Sequence, residues 1–319
     1  MIVSRVSLMA AAVLSCLSLS SCGSEDSAFT MSEEQRLSPA QKKPTISRWR
    51  IAFTSNRDGN QEVYVMNSDG SQLTNLTNQA STDVVCGGGT QLLIASTRGP
   101  QSARDNYRLF TWNEQTKEFD RLTGFPVEDS QAAVSWDGNR YLVSSQSEGD
   151  SEIFIVNSSG EVETQITDNE FEDSDPSWSP GGFRVAYRSN RGGAWDIWIM
   201  NLDGSSSNRL TDDPTNDAAL GYQEGPPQWS PDGERVLFSS ERNGNSDLFV
   251  VNTDGWHLTN LTQTTWNEVH ASWSPDGGQI AFDSDQHGNF EIFVMNADGS
   301  QAARLTDNQA EDRNPVWIR

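Results

Sequence analysis

One paragraph of sequence recurs six times between Ile51 and the C-terminus. It is clearest as Asp175-Pro-Ser-Trp178-Ser-Pro-Gly-Gly-Phe-Arg-Val-Ala-Tyr187-Arg-Ser-Asn-Arg191, then Asp196-Ile-Trp-Ile-Met-Asn-Leu-Asp-Gly204 and Arg209-Leu-Thr211. The copies align on an alternating apolar run: Ile51-Ala-Phe53, Leu93-Ile-Ala95, Leu142-Val-Ser144, Val185-Ala-Tyr187, Val236-Leu-Phe238 and Ile280-Ala-Phe282. These anchors lie about 42 to 51 residues apart, the length of one four-stranded propeller blade, and the units contain short strand-like runs rather than helical periods. The spacing predicts an all-β, six-bladed β-propeller of antiparallel blades and excludes a helical solenoid.

Within each unit, four strands can be assigned. The first is placed on the tryptophan of Trp136-Asp-Gly, Trp178-Ser-Pro, Trp229-Ser-Pro-Asp-Gly and Trp273-Ser-Pro-Asp-Gly, the second on the anchor run, and the third on runs such as Ile197-Trp-Ile-Met200. The fourth is expected to end in Leu-Thr or Ile-Thr. Ser-Pro-Asp-Gly sets φ near −65° at proline and supplies a positive φ at glycine; Asn67-Ser-Asp-Gly70 and its copies serve the hairpin between strands three and four. The last unit stops at Asn314-Pro-Val-Trp317, a first strand, whereas the first unit begins at a second strand, Arg50-Ile-Ala-Phe53. The two halves are expected to combine into one blade and close the ring, protecting its edges.

The N-terminus carries an address. Arg5 precedes an apolar stretch over residues 6–19, too short for a membrane span, and Leu19-Ser20-Ser21-Cys22 has the form of a bacterial lipobox. Cys16 offers a poorer lipobox because its apolar stretch is truncated. The expectation is a lipoprotein signal peptide over 1–21, lipidation of Cys22, a Ser-, Glu-, Gln-, Lys- and Pro-rich tether over 22–47, and the propeller over 48–319. That places the protein in the bacterial envelope, lipid-anchored and monomeric, at the outer membrane facing the periplasm or the cell surface. A net charge of −23 argues against binding nucleic acid or anionic lipid surfaces.

Catalytic signatures are sparse. The chain contains no G-x-S-x-G elbow, H-E-x-x-H or CxxC, and its three histidines, His257, His270 and His287, are scattered over the last two units. His270 lies three residues before a first-strand tryptophan, where Asp175 stands in another unit, and is expected to face the channel as a hydrogen-bonded filler. Cys86, in Val84-Val-Cys-Gly-Gly-Gly89, is read as a small buried residue in place of a first-strand tryptophan.

The units Trp229-Ser-Pro-Asp-Gly-Glu-Arg-Val-Leu-Phe238 and Trp273-Ser-Pro-Asp-Gly-Gly-Gln-Ile-Ala-Phe282, with Asn252-Thr-Asp-Gly255 and Asn296-Ala-Asp-Gly299, resemble the TolB-type propeller repeat over residues 48–319. The same repeats also resemble the propeller portions of tricorn-type and prolyl-peptidase-type proteins, so they specify function less than fold. The resemblance implies a periplasmic, partner-binding propeller. TolB itself carries an α/β domain before its propeller and is not a lipoprotein, whereas the lipobox leader and tether precede the first blade here; a role in the Tol-Pal machinery therefore stays open.

Strand alternation puts the tight hairpins on one face and the loops of variable length on the other, including residues 212–228. Recognition is expected on the loop-rich face. Three residue sets there are candidates. The carboxylates Asp83, Asp129, Asp173, Asp217, Glu268 and Asp312 lead into the first strands and could ring the channel mouth as a Ca²⁺ site or act as caps. Arg57, Arg191 and Arg242 are expected to brace their blades by pairing with Glu62, Asp196 and Asp247. Phe125, Phe171, Tyr222 and Trp266 sit in acidic inter-blade loops and are candidate partner-binding anchors. The reading that follows is a noncatalytic scaffold for an envelope protein or peptide that requires no cofactor. The alternatives are a channel-metal lyase or lactonase, or a glycan-binding surface protein.

Overall fold

The computed structural model describes residues 49–98, 107–122, 132–147, 149–212 and 227–319. Cys22, Phe125, Asp129, Asp217 and Tyr222 lie outside them. Among the described residues, 24 strands form six antiparallel sheets of four. Blade 1 unites the C-terminal strand Asp312–Ile318 with Arg50–Ser55, Glu62–Asn67 and Thr74–Asn75, so the last strand of the chain closes the ring as the sequence anticipates. Blades 2 to 6 follow in chain order, and their innermost strands are Asp83–Gly87, Ala132–Val134, Asp173–Trp178, Gln228–Trp229 and Glu268–Trp273. Each innermost strand touches the next around the ring, including Asp312–Ile318 against Asp83–Gly87.

Apolar alternation within the second and third strands puts side chains on both faces of each blade. Six separate clusters result, each between two neighbouring blades. One joins Ile51, Phe53 and Met66 of blade 1 to Ile292 and Val294 of blade 6; another joins Ile153 and Ile155 of blade 3 to Val185 and Tyr187 of blade 4. The low apolar content of the chain suffices because each cluster is one layer thick.

The repeat motifs have identifiable structural roles. Trp178, Trp229 and Trp317 are buried at the inner edge of their blades, and each indole N–H donates to the innermost strand of the preceding blade: to the carbonyls of Ala133 (3.1 Å), Ser177 (3.2 Å) and Ser272 (3.2 Å). The Leu-Thr signature falls just after the paired part of the fourth strand. There the threonine hydroxyl accepts the first free N–H of the third strand, as in Ile197 to Thr211 (3.0 Å) and Ile292 to Thr306 (2.9 Å). The hairpin glycine is doubly constrained at Gly299: φ is 85°, and a Cβ would lie 2.5 Å from the Leu261 carbonyl of the preceding blade.

Register corrects two sequence assignments. Val134 pairs with Tyr141 as Trp178 pairs with Val185, so Val134 occupies the tryptophan position of blade 3. Trp136 instead takes the proline position of the hairpin, in Ser135-Trp136-Asp137-Gly138, and is 67% exposed. In blade 2 the count from the entering carboxylate (Asp83, against Asp173 in blade 4) puts Gly88, not Cys86, opposite Trp178. Gly88 has no room for a side chain, since a Cβ would stand 2.6 Å from the Trp317 carbonyl. Cys86 is buried nearby, and burial raises its thiol well above the ordinary range.

Candidate functional site

The innermost strands of blades 4, 6 and 1 each carry a register shift before their tryptophan. At these bulges Asp175, His270 and Asn314 adopt left-handed φ values of 54°, 46° and 55°, a backbone state uncommon outside glycine and enriched in these three residue types. The side chains of Asp175 and His270 meet the fourth residue of the adjoining second-strand run. In blade 6, His270 Nδ1 bonds both oxygens of Asp283 (3.0 and 3.1 Å), leaving Nε2 to the channel. Blade 4 inverts the order, with the acid Asp175 on the first strand and Arg188 on the second, bonded and ion-paired. Arg188 also stacks on Trp195 at 4.7 Å. Asn314 donates its backbone N–H to Asp283 and its amide to the Val85 carbonyl. Asp175 is fully buried, and burial raises its carboxyl despite the opposing charges of Arg188 and His270.

Above this polar waist lies a cavity of about 590 Å³ on the loop-rich face. His270 and Asn314 form its floor; Asn56, Tyr107, Asp285 and Arg313 are among its walls, drawn from blades 1, 2 and 6. Arg313 stacks on Phe290 at 3.6 Å, holding a cation and an aromatic face together at the rim. The cavity thus offers amide, carboxylate, guanidinium and aromatic surfaces in one concave mouth.

Of the four described carboxylates expected to form a cation ring, three are paired with arginines of their own blades. Asp83, Asp173 and Asp312 are completely buried, with Arg98 (2.8 Å), Arg191 (2.9 Å) and Arg57 (2.6 Å) as their partners. Each guanidinium also lies over the blade's aromatic residues: Arg57 over Tyr64, Arg98 over Phe119 and Arg191 over Trp198. Among the described residues no three His, Cys, Asp or Glu side chains gather as a metal-holding group. The expected arginine partners are therefore corrected for Arg57 and Arg191: the acids reached lie across the strand pair, not next along the chain. Arg242 donates its Nε to Ser240 and stacks on Phe249 at 4.8 Å. Glu62 is held by Thr77, Asn60 and Gln79, Asp196 by Arg209 (2.6 Å), and Asp247 by Asn260 (2.7 Å).

Blade 6 breaks this pattern. Where four blades have Ser-x-Arg after the second strand, it has Ser284-Asp285-Gln286, so the buried Glu268 lacks an arginine. Thr264 donates to Oε1 at 2.7 Å, while Oε2 is buried without a partner. Burial, with the nearby Asp247 charge adding, raises the Glu268 carboxyl from the ordinary 4.5 to about 7. The folded protein then binds this proton more tightly than the unfolded chain, so stability falls as pH rises from about 4.5 to about 7. Glu268→Gln is expected to remove that slope. In urea unfolding it should gain about 1–2 kcal/mol on the wild type at pH 8 but not at pH 4, after allowance for solvent screening; parallel pH profiles would contradict the assignment.

Phe171 and Trp266 are on the loop-rich face and partly exposed, at 43% and 44%, but line neither channel cavity. They lie at the junctions entering blades 4 and 6. Sequence reasoning missed Asp283, Arg188 and Arg313. The available signal was paired substitution at two repeat positions: Arg188 and Asp283 replace Thr54, Ala95 or Ser239 at the second-strand site in blades 4 and 6, where the bulge residue is Asp175 or His270.

The architecture is that of a strand-closed propeller with a polar waist in its channel. Residues 101–219 and 215–319 match the TolB beta propeller domain, and the chain belongs to that family. Similar solved structures include TolB from Acinetobacter baumannii, 19% identical with a TM-score of 0.68 over 85% of this chain and 67% of that one. A protein of Agrobacterium tumefaciens described as a TolB is 22% identical, with a TM-score of 0.64 over 84% of this chain and 91% of that one. An oligogalacturonate lyase in complex with manganese is 17% identical, with a TM-score of 0.53 over 80% and 73%. At these identities the likeness is one of fold. No curated protein matches the chain in sequence.

Proposed function

We propose that the protein is a noncatalytic envelope scaffold that binds a segment of a partner protein at the loop-rich mouth of its channel and is tethered to a membrane through lipidated Cys22. The observation carrying this reading is the 590 Å³ mouth, whose walls combine Asn56, Asp285, Arg313 and Tyr107. Such a concave polar surface suits a peptide's backbone and side chains, and Phe171 and Trp266 supply exposed aromatic area on the same face. Binding rather than catalysis is favoured because the buried acids Asp83, Asp173 and Asp312 are tied to arginines. Family membership supports a protein-binding role, and the lipobox supports the anchor.

The test is chemical crosslinking and capture from envelope fractions. Gln61 lines the mouth and is exposed, so Gln61→Trp should obstruct it without disturbing the core. A partner crosslinked by wild type should fall at least tenfold with Gln61→Trp and with Phe171→Ala plus Trp266→Ala, yet persist with Trp136→Ala on the opposite face. Equal recovery from all variants would remove the loop-face reading. Cys22→Ser should shift the protein from the membrane to the soluble fraction; unchanged membrane association would remove the anchor.

A further inference from the structure

The channel has a second cavity, of about 270 Å³, at its hairpin end, and His270 and Asn314 border both this cavity and the loop-face mouth. The repeat divides its wall. Blades 4, 5, 6 and 1 contribute Trp178, Trp229, Trp273 and Trp317, whereas blades 2 and 3 contribute residues 85–89 and Ala132–Val134. Gly88 and Val134 stand in the register that the other blades fill with tryptophan, so the cavity opens where two indoles are missing from the ring. A wall of glycine and alanine set against four tryptophans suits a flat apolar body. Cavities of ~150 Å³ accept a benzene ring, so this volume corresponds to about two fused rings.

One side-chain atom defines the polar group of the ligand. His270 is 6% exposed, and its Nδ1 is committed to the wholly buried Asp283, which also accepts the backbone N–H of Asn314. A carboxylate only accepts, so it holds the proton of the neutral imidazole on Nδ1 and leaves Nε2 as a bare lone-pair acceptor. Among the described residues nothing donates to Nε2, yet it is not sealed off from the channel as the indole nitrogen of Trp273 is. A buried acceptor without a partner is costly, and a ligand donor would relieve it. A neutral donor fits best here, because an ammonium would exchange its hydration for a single ring nitrogen and a carboxylate has no proton to give. A phenol joins a flat apolar body to such a donor.

We infer that this hairpin-side cavity is a binding site for a small neutral phenol, a body of about two fused rings that lies against the tryptophans and donates its O–H to His270 Nε2. The site opens at the opposite end of the channel from the partner-binding mouth and does not depend on the partner or the anchor.

The test is titration of the full chain with 2-naphthol, followed by the fluorescence anisotropy of the ligand, with competitors read by its displacement. Saturable 1:1 binding is expected. The methyl ether, 2-methoxynaphthalene, keeps the body but has no proton to donate and should bind at least threefold more weakly, the worth of one neutral hydrogen bond. Naphthalen-2-ylmethylammonium should also be weaker. Val134→Trp, which restores the residue of the other blades, should weaken 2-naphthol at least tenfold. A measurement on the unaltered chain does not rely on that variant folding. The chain has three histidines, of which His257 and His287 are exposed, so His257→Asn and His287→Asn assign the ring nitrogens in ¹⁵N NMR by elimination. Saturation with 2-naphthol should move His270 Nε2 upfield and leave the other two rings unchanged. Absence of saturable binding, equal or tighter binding of the ether or the ammonium, an unmoved His270 Nε2 at saturation, or unchanged affinity in folded Val134→Trp would overturn the proposal.

Discussion

Arg191→Ala is expected to destabilise the propeller by about 3–5 kcal/mol, because it leaves the fully buried Asp173 as an unpaired charge. Arg191 reaches both carboxylate oxygens, at 3.0 and 2.9 Å, donates to Ser189, and lies over Trp198 at 4.7 Å. Planar bidentate geometry and stacking make the site specific for arginine, so Arg191→Lys should recover only part of the loss. The decisive comparison is Arg191→Ala with Asp173→Asn added. If desolvated charge is the main cost, the double variant regains at least half of the stability in urea unfolding. A double variant no more stable than Arg191→Ala would show that the arginine acts through packing on Trp198 instead. Three of the buried entering acids have this arrangement, so the predicted effect should recur at Arg57 and Arg98.

That pairing also shows where sequence reading stops. The blade number, the strand order and the closing strand were legible because a turn needs specific residues at fixed positions: glycine at Gly299, serine and aspartate at Ser274 and Asp276. Three-dimensional partners were less so. Arg191 was assigned to the acid that follows it, Asp196, but antiparallel pairing of Asp173 with Ser189 places Asp173 beside it. Trp136 was assigned as a strand residue by its identity, whereas its neighbours Ser135 and Asp137 make it a hairpin residue. The waist was half visible. His270 stood out as a rare residue at a repeat position, but its partner Asp283 is meaningful only once the bulge turns the two side chains together. Phe171 and Trp266 are exposed, as their place in the inter-blade loops suggests, yet the concave mouth depends on Asn56, Arg313 and Tyr107, residues with no distinctive type or spacing.

Trp317→Ala should destabilise by about 3–5 kcal/mol, with its effect concentrated at the seam of the ring. Trp317 belongs to the strand that ends the chain and is held on three sides. It pairs with Ile51 within blade 1, its indole donates to Ser272 of blade 6, and its carbonyl accepts from Gly89 of blade 2 at 2.7 Å. Trp229 makes the equivalent indole bond to Ser177, but its strand continues into its blade through a tight hairpin. Truncating Trp229 therefore removes comparable apolar contact while leaving strand Asp312–Ile318 docked. Truncating Trp317 also weakens the only non-sequential strand pairing in the described sheets, and loss of that pairing lets blade 1 open without the other blades unfolding. Native-state hydrogen exchange separates the two effects. In Trp317→Ala, amides of Arg50–Ser55 and Asp312–Ile318 should exchange at least tenfold faster than those of blades 3 to 5, whereas Trp229→Ala should not single out these two strands. Uniform acceleration across all six blades in Trp317→Ala would mean that the ring unfolds as one unit and that the seam is no weaker than any other blade interface. Trp317→Phe, which keeps most of the apolar contact but loses the bond to Ser272, should fall between alanine and wild type in both stability and exchange.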